Sequence, residues 1–507
     1  MIYETTSGNR GLLQAEPLIF ENGSIARTGV DLPAPKGASR LGALARKTPL
    51  SLPGLSEPEA VRHYVRLSQR NYAIDLGLFP LGSCTMKHNP RLNERAARME
   101  GFADLHPLQP ISTTQGALAL MHELSHWLLE LTGLEAVALS PKAGAHGEFC
   151  GMLAIRAALA ARGELEARRR VLVPESAHGT NPATAVACGF IVDEVPATEQ
   201  GRVDLAAFKA KLGDNVAAIM LTNPNTCGLF EPDVKEIADL IHAAGGYFYC
   251  DGANYNALVG RVRPGDLGVD AMHINLHKTF STPQGGGGPG AGPVVFSKAL
   301  APFAPAPKIV TRDGALELVE RAGEGAVGRM CAFHGQMGMY VRALAYMLSH
   351  GSDGLRRVAE DAVLNANYLL ARLKPHFNAP FGGGEGDHTP CMHEALLDDT
   401  RFKAQGVETI DFAKSLLDEG YHPMTTYFPL VVHGAMLIEP TETESKAELD
   451  RFADVMIALA KRALGNDSAR MKTAPHLAPM RRLDETRAAR QPKLRWKPTE
   501  AASIAAE

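Results

Sequence analysis

Lys278 lies in NLHKTFSTPQGGGGPGAGPVV (275–295), between a strand-like run and a glycine-rich loop. A lysine at a strand end is a candidate imine-forming amine, provided its surroundings are dry enough to keep it a free base. Most lysines are simply solvated, so the neighbouring segments must carry the argument. Asp251 closes YFYCD, an apolar run of strand character. A carboxylate there is partly buried, which is costly unless it is paired. A protonated pyridine nitrogen is a suitable partner, because the ion pair keeps such a ring an electron sink. The plain alternative is an aspartate capping a turn. SPKAGAHGE (140–148) joins a strand to a helix, and its small residues let backbone N–H groups approach a phosphate at the helix start. His146 stands where an imidazole could stack on a planar ring. TNPNTCG (222–228) follows another strand, and Asn223, Asn225 and Thr226 could donate to a ring oxygen, although Asn-Pro loops are usually only turns. Each segment alone is a weak signal. In chain order they give a phosphate cradle, a ring-oxygen loop, an aspartate and a lysine, each at a strand end. That is the arrangement a pyridoxal 5'-phosphate site needs.

Two literal motif matches point elsewhere and fail. HELSH (122–126) fits the H-E-x-x-H zinc helix, but Trp127, Leu128 and Leu129 follow, without the extended x-x-G-x-x-H. No metal is expected there. Gly285, Gly287 and Gly290 fit G-x-G-x-x-G, yet Pro289 interrupts them and a strand-like GPVVF follows where a dinucleotide site needs a helix. PLGSCTMKHNP (80–90) reads as an ordered loop, in which Cys84 is either reactive or a spectator. His178 and Thr180, in ESAHGTNPATA (175–185), either line the same cleft or form a polar loop before a helix.

The elements that must hold these residues follow from hydrophobic spacing. AVALS, VLVPE, FIVDEV, VAAIMLTNP, YFYCD, AMHINL and GPVVFS read as strands. Between the earlier ones lie helical stretches at 147–162, NPATAVACG, VDLAAFKAKLG and DVKEIADLIHAAGG, the last ending at glycine. Alternation of this kind predicts βαβ units, a mostly parallel sheet and ligands at the carboxyl ends of its strands. GALALMHELSHWLLELTGL (116–134) reads as a buried helix, and Ser56 with Glu59 as a capping box. The expected organisation is an arm over 1–80, a large α/β domain over 81–330, a smaller α/β domain over 331–475 and a solvated tail over 476–507.

Of 507 residues, 45% are hydrophobic and 21% charged, with a net charge of −4. That balance argues against nucleic acid as the main partner. No apolar run reaches the ~20 residues of a membrane helix, and the start has no secretory pattern. Seven scattered cysteines without a C-x-x-C pair suggest reduced thiols and a cytoplasmic location.

PLGSCTMKHNP, AGAHGE, ESAHGTNPA, TNPNTCGLFE, CDGANYNA, NLHKTFSTPQGGGGPGAGPV and HPMTTYFPLVVHGAMLIEPTETESKAELDRF together resemble the glycine-cleavage P-protein family, from about Leu50 onward. Within it the chain looks most like the form divided between two subunits. The resemblance implies a fold-type I pyridoxal-phosphate architecture, with Lys278 as the cofactor lysine. Asp251 would pair with the pyridine nitrogen, His146 would stack on the ring, and the Ala143–Gly144–Ala145 backbone would help hold the phosphate. Thr226 or Asn225 is the suggested ring-oxygen donor. The implied reaction decarboxylates glycine and passes the aminomethyl group to the lipoyl arm of H-protein, with a separate subunit 1 as partner in a heterotetramer. Lys278, freed during turnover, would act as acid or base. The rivals are another fold-type I amino-acid decarboxylase or aminotransferase, and a silent partner that completes a neighbour's site. Intact Lys278 and Asp251 argue against the latter.

Overall fold

The computed structural model describes residues 52–284, 290–381 and 389–497, and before them residues 6, 16–22, 27–30, 32–33, 36–37 and 39–47. Seven strands form the central sheet: β1 (Ala136–Ala138), β2 (Arg170–Pro174), β3 (Ile191–Val195), β4 (Val216–Thr222), β5 (Tyr247–Asp251), β6 (Ala271–His273) and β7 (Val294–Phe296). Their order is β1-β7-β6-β5-β4-β2-β3. β3, β2, β4, β5 and β6 run parallel, β7 is antiparallel to β6, and β1 is antiparallel to β7. Every residue of β4 and β5 is buried, which explains their unbroken apolar runs. Alternate side chains serve opposite faces. Ile219, Leu221, Phe248 and Cys250 join one core, and Ala218, Met220, Tyr247 and Tyr249 join the other.

The helix Gly144–Ala161 packs on the second of these faces and starts three residues earlier than its spacing predicts. Gly151 lets it close on the sheet: a Cβ there would stand 2.6 Å from Tyr249 Cε2. The helices Gln115–Thr132 and Val234–Ala243 cover the first face. The first of them carries the HELSH residues, and His122 and His126 line a separate cleft with Glu135 and His334. A hairpin of β8 (Lys308–Arg312) and β9 (Ala315–Val319) follows, which the sequence reading did not anticipate.

The sequence reads as two helical stretches here, MGMYVRALAYMLSHG and GLRRVAEDAVLNANYLLARL, and the structure has one helix, Met337–Leu373. It runs through both, with a break at Gly351, where φ is 62°. Its first half buries Tyr340 and Tyr346 in the large core, and its second half buries Leu369 and Leu370 in a separate core. The latter belongs to a small antiparallel sheet of β10 (Ala395–Asp398), β12 (Ala435–Ile438) and β11 (Thr425–Thr426). The helices Thr409–Asp418 and Lys446–Leu464 contribute to the same core. Past it, the segment expected as a tail packs back at first: the His476 N–H donates to Asp418, and Arg482 pairs with Asp411 at 2.6 Å.

Ser56 and Glu59 form the expected capping box, with the Ser56 N–H donating to Glu59 Oε2 at 2.9 Å. The 80–90 segment is an ordered loop lodged between the two sheets. Its Gly82 carbonyl accepts from Thr425 Oγ1 at 2.6 Å, and its Lys87 reaches Glu442 at 2.6 Å. β7 follows the glycine-rich stretch, of which residues 285–289 lie outside the described residues, as do 382–388 of FGGGEGDHTP (381–390), which the sequence reads as a loop.

Candidate active site

The parallel strands end on one cavity of about 230 Å³. β4 and β5 are in register so that Thr222 faces Asp251 at their carboxyl ends. Asp251 is 3% exposed. Its Oδ1 accepts from the Ala253 N–H at 2.9 Å and its Oδ2 from Asn181 Nδ2 at 3.0 Å, and His273 Nε2 lies 3.5 Å from Oδ1. Burial alone would raise this carboxyl. His273, the Asn181 and Ala253 hydrogen bonds and the Lys278 charge together bring it below its ordinary value, so it stays ionised. Glu148 shares Asn181 with it, accepting from that amide at 3.1 Å and from Thr180 Oγ1 at 2.8 Å. Burial and the Asp251 charge push Glu148 upward.

Lys278 sits on the short helix Leu276–Thr279 after β6 and is 7% exposed. Its Nζ donates to the Ser83 carbonyl at 2.7 Å, so the 80–90 loop reaches into the same cavity. His277 beside it is pushed down to about 4 by burial and by the Lys278 charge, and is therefore neutral near pH 7.

Gly144 and Ala145 line the cavity at the start of their helix. Ala143 is the N-cap and offers no side chain to the first-turn N–H groups, which leaves them for an anion. Gly144 lies close against the cavity wall: a Cβ there would stand 2.8 Å from Asn275 Nδ2, so the Asn275 side chain would have to shift.

Two expected residues are placed differently. His146 does not line the cavity. Because the helix begins at Gly144, its ring turns back so that Nδ1 accepts from the Lys142 N–H at 3.2 Å. Three histidines do line the cavity, His178, His273 and His277, and of these His178 has its Nδ1 2.8 Å from Thr180 Oγ1. Thr226 lines the cavity, but its single hydroxyl hydrogen goes to the Ser176 carbonyl, so it faces the cavity as an acceptor rather than the expected donor. Asn225 Nδ2 is taken by the Gly201 carbonyl and Glu231, and Asn223 by the Glu231 backbone. The polar side chains of TNPNTCG thus knit their own loop. Thr222 Oγ1, buried on the cavity wall, has no hydrogen-bond partner among the described residues.

Glu148, Asn181 and His273 were not singled out from the sequence. Asn181 stood in view within ESAHGTNPATA, whereas the roles of Glu148 and His273 depend on the packing of the helix Gly144–Ala161 over β5 and β6.

These residues fit pyridoxal phosphate. An ionised, buried Asp251 suits a ring N–H, uncapped N–H groups at Gly144 and Ala145 suit a phosphate, and the Lys278 amine enters the same space. The fold is that of the aminotransferase class-V proteins, the fold-type I architecture: residues 150–303 match the "Aminotransferase class-V" family and residues 358–476 the "Glycine dehydrogenase, C-terminal domain". Among solved structures, glycine decarboxylase (P-protein) of the glycine cleavage system, in inhibitor-bound form, superposes with a TM-score of 0.67 at 23% identity, over 82% of this chain and 92% of that one. The apo cysteine desulfurase of Thermococcus onnurineus gives 0.57 at 14% identity, over 76% and 95%. By sequence, the chain is 68% identical to the probable glycine dehydrogenase (decarboxylating) subunit 2 of Caulobacter vibrioides, over 100% of this chain and 96% of that one. It is 51% identical to the protein of the same name from Desulforamulus reducens, over 95% and 99%. The chain belongs to the glycine dehydrogenase (decarboxylating) subunit 2 family.

Proposed function

We propose that this chain carries the pyridoxal-phosphate site of a glycine decarboxylase in a glycine cleavage system, with a subunit 1 as its partner and the lipoyl arm of H-protein as acceptor of the aminomethyl group. The observation that carries the reading is the meeting of Lys278 and Asp251 in one cavity at the carboxyl edge of a parallel sheet, in a chain of this family. When bound, the cofactor supplies an electron sink for the pair left on the glycine α-carbon as CO2 departs.

The chain's residues divide the remaining work. Lys278 Nζ would hold the cofactor covalently and, once glycine takes its place, move protons at the α-carbon. Asp251 would hold the ring N–H, and its ionised state keeps the ring cationic. The Gly144 and Ala145 N–H groups would hold the phosphate. His178, rather than His146, lines the cavity from which a ring can be stacked. Ser83 and Cys84 bring the 80–90 loop to the cavity wall and narrow the way in for water. All seven cysteines are unbridged, which suits a cytoplasmic enzyme. Among the described residues no helix is long and apolar enough to cross a membrane.

The test is the absorption spectrum of the chain co-purified with its partner, before and after borohydride, with peptide mapping. We expect a near-visible band that bleaches and a label on Lys278, lost in Lys278→Ala. Glycine–bicarbonate exchange should then require both H-protein and the partner subunit. A label elsewhere would overturn the site, and exchange without H-protein would point to another fold-type I decarboxylase.

A further inference from the structure

Next to Lys278 stands a second group of ionisable side chains that the reaction above does not use. His393 and Glu394 immediately precede β10, and Glu439 immediately follows β12. The two strands are antiparallel with Ala395 opposite Ile438, so Glu394 and Glu439 meet at one end of the small sheet. One side-chain atom from each of the three lies within 4.8 Å of the others, and all three residues are 0% exposed. Both oxygens of Glu439, Oε2 of Glu394 and both nitrogens of His393 lack a hydrogen-bond partner among the described residues.

Ser83 ties this group to the amine. It holds a left-handed φ of 63°, uncommon outside glycine. In that conformation its N–H donates to Glu394 Oε1 while its carbonyl accepts from Lys278 Nζ. The other groups facing the pair do not neutralise it. Glu442 is already held by Lys87, and burial keeps the Cys84, Cys227 and Cys391 thiols protonated. Burial and Lys278 drive His393 down to about 3, so its ring is neutral. Two carboxyls this close and this dry cannot both be ionised. Burial raises both, Glu394 to about 7.

We propose that Glu394 and Glu439 share one proton while Lys278 Nζ is charged and take up a second when Nζ is neutral, so that the buried cluster stays electrically neutral. In that step an N–H bond of Nζ breaks, an O–H bond forms on the carboxylate, and no electron changes hands. The pair is thus a positioning and proton-holding device for Lys278. The reading of Lys278 as the cofactor lysine enters only in saying when Nζ loses its charge. His393, Glu394 and Glu439 also have the chemistry of a divalent-cation site, but a charged Lys278 beside them opposes a second cation.

The test is infrared difference spectroscopy of the protonated-carboxyl stretch near pH 7, in which other buried acids cancel. The wild type should show a band that Glu439→Gln or Glu394→Gln removes. Lys278→Met should take the band to roughly double, because the second carboxyl gains a proton, and Glu394→Gln in that background should reverse the gain. If Lys278→Met fails to fold, Lys278→Gln removes the same charge. A band unchanged by either glutamine, an intensity unmoved by loss of the Lys278 charge, or a stoichiometric divalent ion that Glu439→Gln releases would each overturn the proposal. A gain in Lys278→Met with no borohydride-reducible pyridoxal label on Lys278 in the wild type would uphold the proton store and count against Lys278 as the cofactor lysine.

Discussion

Asp251 and Glu394 are both buried carboxyls, and they end on opposite sides of the ordinary carboxyl value. Two hydrogen bonds, His273 and Lys278 overcome the burial of Asp251, while for Glu394 burial outweighs the Ser83 N–H, the Lys278 charge and the contact with Glu439, which all act to lower it. Asp251→Asn keeps the volume and removes the anion. We expect Lys278 still to take up pyridoxal phosphate, with glycine exchange falling on the order of 100-fold. For Glu394 the consequence is one of stability. Burial raises its carboxyl from the ordinary 4.5 to about 7 on folding, so between those values the folded chain binds more protons and stability falls as pH rises. Glu394→Gln removes that dependence. Its stability relative to the wild type should therefore increase from pH 5 to pH 7, by up to roughly 3 kcal/mol, in denaturant unfolding at the two pH values.

The turn after β5 shows how an element places a residue. Gly252 follows Asp251 directly and lies so close to β6 that a Cβ would run into the His273 carbonyl and stand 2.8 Å from Met272 Cε. The close approach brings Asp251 and His273 together. Gly252→Ala must push the strand ends apart, and we expect a loss of about 1–3 kcal/mol or more in urea unfolding, with weakened cofactor uptake. Gly82 plays the same part in the 80–90 loop, where a Cβ would stand 2.7 Å from the Leu437 carbonyl. The backbone of Ser83 can reach both Lys278 and Glu394 only because the preceding residue lets the loop lie against β12.

The large core, the long helix and the segment after β12 are joined by Lys87. Its Nζ, buried, donates to Asn256 Oδ1 at 2.9 Å, Tyr346 OH at 3.1 Å and Glu442 Oε1 at 2.6 Å. Burial pushes this amine down, and Glu442 opposes the shift. Lys87→Met strands the Glu442 charge in a dry site, so we expect a loss of about 3–5 kcal/mol. Adding Glu442→Leu should recover part of it, and a double-mutant cycle by denaturant unfolding would measure the coupling. The contact holds the 80–90 loop, and with it Ser83, against both halves of the molecule.

Local chemistry was enough to reveal the parallel sheet, since fully buried strands must be apolar throughout and their helices amphipathic. It also singled out Asp251, because a charged residue closing an apolar strand stands out against its own neighbours, and Lys278, which the structure sets on a short helix just past β6 and in the same cavity. The Ser56 capping box was legible for the same reason, being a contact across three residues. The hairpin β8–β9 was not, because its side chains are at most half-buried and carry little alternation. Nor did His146 and Thr226 fall as expected: a shift of one helical turn in where a helix begins redirects an imidazole, and a single hydroxyl hydrogen goes to the nearest carbonyl. The meeting of His393, Glu394 and Glu439 with Lys278 was beyond any local reading. CMHEALL and LIEPTE are ordinary strand flanks in the chain. Only antiparallel pairing in one sheet, docked through the 80–90 loop against the edge of another, sets two acids from distant segments beside one amine.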